Sequence, residues 1–219
     1  MYKKIFFIIL VLVFTLSTAF KNKKTNILII GDSISIGYTP SVKNFFLDKA
    51  TVLHNDGNAQ HTGTGLQKIE EWLGNKNWDV IQFNWGLWDL CYRHSDSKEY
   101  GNRDKINGKP EFTIDEYASN LDSLVAIIKK KSNAKLIFVT TTYVPKDEPG
   151  RRKSDVEKYN KAAKLVMKKH NILINDIYEQ SIAIHNRYGK GAKDVHYTTI
   201  GYNKLSELII KFLETELKL

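Results

Sequence analysis

The chain is predicted to be an α/β protein: a three-layer α/β/α sandwich around a mainly parallel five-stranded sheet. The first observation is the run Ile27-Leu28-Ile29-Ile30, short, mostly β-branched and without polar alternation, as a strand covered on both faces would be. The second is rhythm, because five strand-like runs alternate with stretches whose apolar residues recur at helical spacing. The third is composition: 42% hydrophobic and 26% charged residues over 219 positions suit one ordinary globular domain. There is no internal repeat, no low-complexity tract and no second domain in the pattern.

Before the first strand, Lys3-Lys4 precede an apolar run from Ile5 to Leu16, and Ser17-Thr18-Ala19 supply small residues for cleavage after Ala19. Residues 1–19 read as a secretory signal peptide, which implies a secreted or periplasmic protein with a single domain over residues 20–219. An uncleaved anchor is the alternative, although the run is short for a membrane span.

After Ile30, a helix is expected from Ile36 to Lys49, then a second strand at Thr51–His54 and a loop, residues 55–63, rich in turn formers. A helix from Thr64 to Leu73 carries Leu66, Ile69 and Leu73 inward, and Asp79–Asn84 forms the third strand, with Val80, Gln82 and Asn84 on one face. The polar segment 85–112 is long for a loop and is expected to wall a cleft. Thr113 and Glu116 form a capping box ahead of a helix with Tyr117, Leu121, Leu124 and Ile128 buried, followed by a strand at 135–141. Ser154 and Glu157 suggest a second capping box before a helix ending near Lys169. Ile172–Ile174 is the fifth strand, a helix spans Ile177 to Asn186, and the last helix presents Leu205, Leu208, Ile209 and Phe212 to the core.

The formal charge of +9 lies in runs such as Lys129-Lys130-Lys131, Arg151-Arg152-Lys153 and Lys168-Lys169. They read as a solvated surface that favours acidic polymers or an anionic membrane face, and no nucleic-acid motif accompanies them. The single cysteine, Cys91, allows no internal disulfide and reads as a buried thiol. The six histidines show no metal-ligand spacing, so neither a metal nor another cofactor is expected.

Gly31-Asp32-Ser33 joins the first strand to the first helix, where open α/β sheets place their sites and unpaired backbone N–H groups can hold an anion. Asp32 or Ser33 acting only as a helix cap is the alternative. Serine acyl transfer needs a base, a group that orients the base, and donors for the oxyanion. His196, in the loop before the last helix, can reach the same rim of the sheet as Ser33, and Asp194 lies two residues before it.

In these blocks the chain resembles the GDSL or SGNH hydrolase family. Gly31-Asp32-Ser33 matches its nucleophile block, Asn84-Trp85-Gly86-Leu87-Trp88-Asp89 resembles its third block, and Asp194-Val195-His196 followed by Gly201-Tyr202 resembles its terminal block. The resemblance implies the flavodoxin-like form of the sandwich, with Ser33 as nucleophile, His196 as base and Asp194 as orienting acid. The resemblance implies Ser33 N–H as one oxyanion donor and a second from the family's second block, for which Asn58 and the backbone of Ala59 or Gln60 are the candidates, a plain turn in loop 55–63 being the alternative. Two departures stand out. Trp88 occupies the position of the family's oxyanion asparagine, which leaves Asn84 as a substitute or as a buried amide paired with backbone. Lys193 occupies the usual position of the acid, so Asp194 must serve from one residue nearer. Asp32 and Asp89 read as acceptors that hold the loops.

Trp85, Trp88 and Tyr143 fall in or beside the site loops, where they either meet sugar faces or pack under the long loop. Together with export and the activities common in the resembled family, this leads to an expected carbohydrate O-acetylesterase working through an acyl-serine. The alternatives are a lipase, lysophospholipase or thioesterase of the same family, or a glycan-binding domain without turnover. The expected partner is a small-molecule or polysaccharide ester, with a membrane involved only if the N-terminal segment is retained.

Overall fold

The computed structural model describes residues 24–218; the segment read as a leader or anchor, residues 1–19, lies outside them. The described chain runs β1 (Thr25–Ile30), α1 (Ser33–Phe45), β2 (Ala50–His54), α2 (Thr62–Leu73) and β3 (Val80–Phe83). The ribbon strands β4 (Tyr92–Arg93) and β5 (Lys109–Pro110) lie in the long segment, ahead of α3 (Ile114–Lys131), β6 (Lys135–Val139), α4 (Lys153–Lys169), β7 (Leu173–Asn175), α5 (Tyr178–Tyr188) and α6 (Thr199–Leu217).

Among the described residues the main sheet has the order β2-β1-β3-β6-β7, and every ladder in it is parallel. Helices α2, α3 and α4 pack in series on one face, while α1, α6 and α5 pack in series on the other. The central strands therefore bury both faces: Ile27, Ile29, Ile30, Ile81, Phe83, Ile137 and Phe138 have no exposed surface. The chain leaves β1 toward β2 at one edge and returns to β3 on the opposite side of β1. The connections at the carboxyl ends of β1 and β3 thus diverge and open a crevice at this switch point.

Local chemistry sets the helix starts. Asp32 Oδ1 accepts from Ile34 N–H at 2.9 Å, so α1 begins at Ser33, three residues before the expected start. His61 Nδ1 caps α2 by accepting from Thr64 N–H at 3.1 Å. The Thr113–Glu116 capping box is formed in full at α3. The second expected box is not: α4 starts at Lys153 after Arg152, which makes no side-chain cap, and Ser154 already lies inside the helix. No helix among the described residues is long and apolar enough to cross a membrane.

Candidate active site

The turn after β1 is held from both sides. Gly31 N–H donates to Asn55 Oδ1 at 2.9 Å, and the Gly31 carbonyl accepts from Ala59 N–H at 3.0 Å. A side chain here would collide, since a Cβ on Gly31 would lie 2.7 Å from Ser35 Oγ. Ser33 is thereby fixed as the first residue of α1, where its own N–H has no intrahelical carbonyl to meet.

Ser33 Oγ lies 2.8 Å from His196 Nε2, and His196 Nδ1 lies 2.5 Å from Asp194 Oδ1. Asp194 Oδ1 also accepts from the His196 backbone N–H at 2.9 Å. That Asx-type turn brings the carboxylate to the ring from two residues away, so the shortened spacing still gives contact. With Nδ1–H directed at Asp194, the Nε2 lone pair faces the serine hydroxyl. The loop itself is pinned: His196 O accepts from Lys190 N–H at 2.9 Å, and His185 Nε2 meets the Asp194 carbonyl at 2.7 Å. Partial burial pushes the Asp194 carboxyl up, but the hydrogen bonds from His196 outweigh it and hold the group below the usual carboxylate range.

A cleft of about 540 Å³ opens over this line. Its lining comprises Ser33, Asp194, Val195 and His196, together with Asn58, Leu87 and Trp88 and with Arg93, Tyr100, Gly101, Arg103 and Arg151. The long segment 85–112 does wall the cleft, through a ribbon and a helical turn at Tyr100–Asn102. A roomier groove of about 730 Å³ between α4 and β7 is lined by no serine, cysteine or histidine.

Among the expected oxyanion groups, Asn58 faces the cleft. Its Oδ1 accepts from Gln60 N–H at 2.8 Å, which leaves the Nδ2 donors for a ligand. The same contacts remove the backbone candidates, because Ala59 N–H is held by Gly31 O and Gln60 N–H by Asn58 itself. The expectation for Asn84 is corrected as well. It lies on the Gln82 face of β3, beneath α1 beside Ile34 and Tyr38, and its Nδ2 donates to the Val139 carbonyl at 2.7 Å.

Two of the three aromatic residues are also placed elsewhere. Trp85 is fully buried, with Nε1 directed at the Ala59 carbonyl at 3.2 Å, and acts as core beneath the loop. Tyr143 packs against the His185 ring at 5.4 Å, outside the cleft lining. Trp88 lines the cleft, with the Arg93 guanidinium 5.2 Å from its ring centroid. Gly86 lets the third block approach the segment that follows β6: its φ is +148°, and a Cβ would lie 2.0 Å from Thr141 Oγ1. Asp89 anchors the same block by accepting from Thr62 N–H at 2.9 Å and Thr62 Oγ1 at 2.5 Å.

The three arginines were not anticipated as cleft residues. Arg151 belongs to a basic run expected to be solvated, yet it is 6% exposed; Nε donates to Leu87 O at 2.5 Å and Nη1 to Glu148 Oε1 at 2.7 Å. The available signal was Glu148 three residues earlier, in the connection leaving the carboxyl end of β6.

Residues 29–204 match the profile of the GDSL-like lipase/acylhydrolase family. No sequence among curated proteins matches the chain at a significant level. Similar solved structures include the acetyl xylan esterase AlAXEase, with a TM-score of 0.68 and 15% identity over 86% of this chain and 99% of that one. A lipase/acylhydrolase from Enterococcus faecalis gives 0.67 and 20% identity over 88% and 96%. The acetylxylan esterase Axe2 from Geobacillus stearothermophilus gives 0.63 and 16% identity over 85% and 93%. At these identities the likeness establishes the sandwich, while the family follows from a profile that spans most of the chain: this protein belongs to the GDSL-like lipase/acylhydrolase family and is a serine esterase.

Proposed function

We propose that the chain is an exported carbohydrate O-acetylesterase in which Ser33, His196 and Asp194 carry the reaction. The observation behind this reading is the unbroken line from Ser33 Oγ through the His196 ring to Asp194 Oδ1 at the floor of a cleft. Ser33 Oγ attacks the ester carbonyl while Nε2 of His196 takes the hydroxyl proton, and Asp194 stabilises the resulting imidazolium. Ser33 N–H and Asn58 Nδ2 receive the tetrahedral oxyanion, each such donor being worth about 3 kcal/mol of barrier. His196 protonates the departing sugar oxygen, which leaves as the free hydroxyl, and water, activated in the same way, releases acetate from the acyl-serine. The leader-like N-terminus supports export. The names of two similar structures support acetylated xylan or a related glycan, and the flat Trp88 ring in the cleft suits a sugar face.

The test is hydrolysis of a chromogenic acetyl ester and of acetylated xylan by the wild type and by Ser33→Ala, with an acyl series from acetyl to decanoyl. Acetyl esters should be preferred, and Ser33→Ala should lower kcat by about 10⁴-fold or more. Turnover that survives the substitution removes Ser33 from the reaction. A preference for long chains moves the chain to the lipase reading, and binding of acetylated glycan without turnover to the glycan-binding one.

A further inference from the structure

The lining of the cleft holds more positive charge than the proposed acyl transfer requires. Arg93, Arg103 and Arg151 line it, and Asp194, already engaged with His196, is the one carboxylate lining the same space among the described residues. The acids that hold the arginines sit behind them. Glu148, whose side chain has no exposed surface, accepts from both Arg103 Nη1 at 2.9 Å and Arg151 Nη1 at 2.7 Å, so one carboxylate serves two guanidinium groups. Glu111 accepts from Arg93 Nε at 2.8 Å.

The pattern of attachment is the same in each case. Arg93 is fixed through Nε and Nη1 to Glu111 and the Gly101 carbonyl, Arg103 to the Tyr100 carbonyl and Glu148, and Arg151 to the Leu87 carbonyl and Glu148. No protein group among the described residues accepts from any of the three Nη2 atoms, and none of these atoms is buried without a partner. A role confined to holding the loops explains the Nε and Nη1 contacts. It does not explain three restrained guanidinium groups with open donors in the lining of the cleft that holds the nucleophile. Locked in this way they form a preorganised fork, which suits planar or tetrahedral oxyanions and loses little entropy on binding.

We infer that the cleft selects esters on an anionic carbohydrate, an acylated sugar whose own or neighbouring ring bears a carboxylate or phosphate that docks on Arg93, Arg103 and Arg151. This rests on the esterase reading for its reaction but not for its binding. The formal charge, +9 for the full chain and still strongly positive without Lys3 and Lys4 of the leader-like segment, acts in the same direction by drawing polyanions toward the surface.

The experiment compares kcat/KM for three acetylated substrates: a uronate oligosaccharide, a sugar phosphate and a neutral xylo-oligosaccharide, each at low and high salt. In parallel, Ser33→Ala protein is titrated with the same three sugars lacking acetyl. An anionic substrate should lead the neutral one by about tenfold or more, chiefly through KM, and the lead should shrink as salt rises. Whichever anion leads identifies carboxylate or phosphate as the docking group. Arg103→Gln should pull the anionic-to-neutral ratio toward one, and Arg93→Gln, at a more exposed ion pair, should do the same should the first variant fold poorly. Equal kcat/KM and equal binding for anionic and neutral sugars would overturn the inference and leave the esterase reading standing. Arginine-dependent binding of the anionic sugar with no ester hydrolysed would support the docking site and overturn the esterase reading.

Discussion

Asp194 and Asp89 both accept hydrogen bonds from a site loop, yet their surroundings move them in opposite directions. At Asp194 the two N–H groups of His196 outweigh burial, so the carboxyl stays below its ordinary range and is charged wherever the imidazole needs a partner. At Asp89 burial dominates the contacts from Thr62, and the nearby Asp32 charge adds to it, so the group is pushed up to about 7. Its Oδ2 is buried with no partner, a fitting place for a proton. Between roughly pH 4 and 7 the folded protein thus holds a proton on Asp89 that the unfolded chain has released, and this contribution to stability declines as pH rises through that window. Asp89→Asn keeps an oxygen for Thr62 and removes the titration. Urea unfolding from pH 4.5 to 7.5 should show the wild type losing stability with rising pH and the variant losing less. Equal slopes for the two proteins would mean that Asp89 is ionised throughout. At this scale the short Asp-x-His spacing could be read from sequence, because an i, i+2 contact is local. The effect of burial on Asp89 could not, since it depends on helices distant in the chain.

Helix starts show the same division between local and distant causes one level up. Both Thr113-x-x-Glu116 and Ser154-x-x-Glu157 satisfy the capping pattern, and only the first forms the box. At α4 a tertiary contact fixes the first turn: Asp155, nearly buried, accepts from Tyr92 Oη at 2.9 Å, which ties the ribbon to the helix and leaves Ser154 inside the helix and exposed. Thr113→Ala should therefore cost about 1 kcal/mol, against less than about 0.5 kcal/mol for Ser154→Ala, measured by urea denaturation. Equal costs would count against the helix start at Lys153. The strands and the order of elements were legible because each depends on a continuous apolar run. The ribbon was not, since β4 and β5 have two residues each and pair across the long segment. The alternation in β3 correctly placed Asn84 with Gln82, but only the packing of α1 on that face reveals that the amide is enclosed beneath it.

Across the whole molecule, the nucleophile and base could be found from motifs although they lie 163 residues apart: Ser33 follows β1 at the carboxyl rim of the sheet, and His196, in the connection between α5 and α6, reaches it there. The arginine lining of the cleft offered no such cue. It joins Arg103 from the long segment to Glu148 from the connection after β6, 45 residues away, and only the folded chain shows that these segments meet. Glu148 is the central tie: besides the two guanidinium groups, its Oε2 accepts from Gly150 N–H at 2.8 Å. Replacing it with Gln keeps the shape but leaves Arg151, 6% exposed, without its counter-charge. Breaking a buried pair from one side typically costs about 3–5 kcal/mol. Glu148→Gln should therefore lower the urea midpoint far more than Glu207→Gln, which breaks the exposed Lys204–Glu207 pair on α6 and should cost about 0.5 kcal/mol or less. Turnover of every ester should also fall in the Glu148 variant, because a loosened Arg151 no longer holds the Leu87 carbonyl, next to Trp88 in the lining of the cleft that holds Ser33. Similar unfolding midpoints for the two variants would show that the wall stands without this tie, and that the arginines are held by their carbonyl contacts alone.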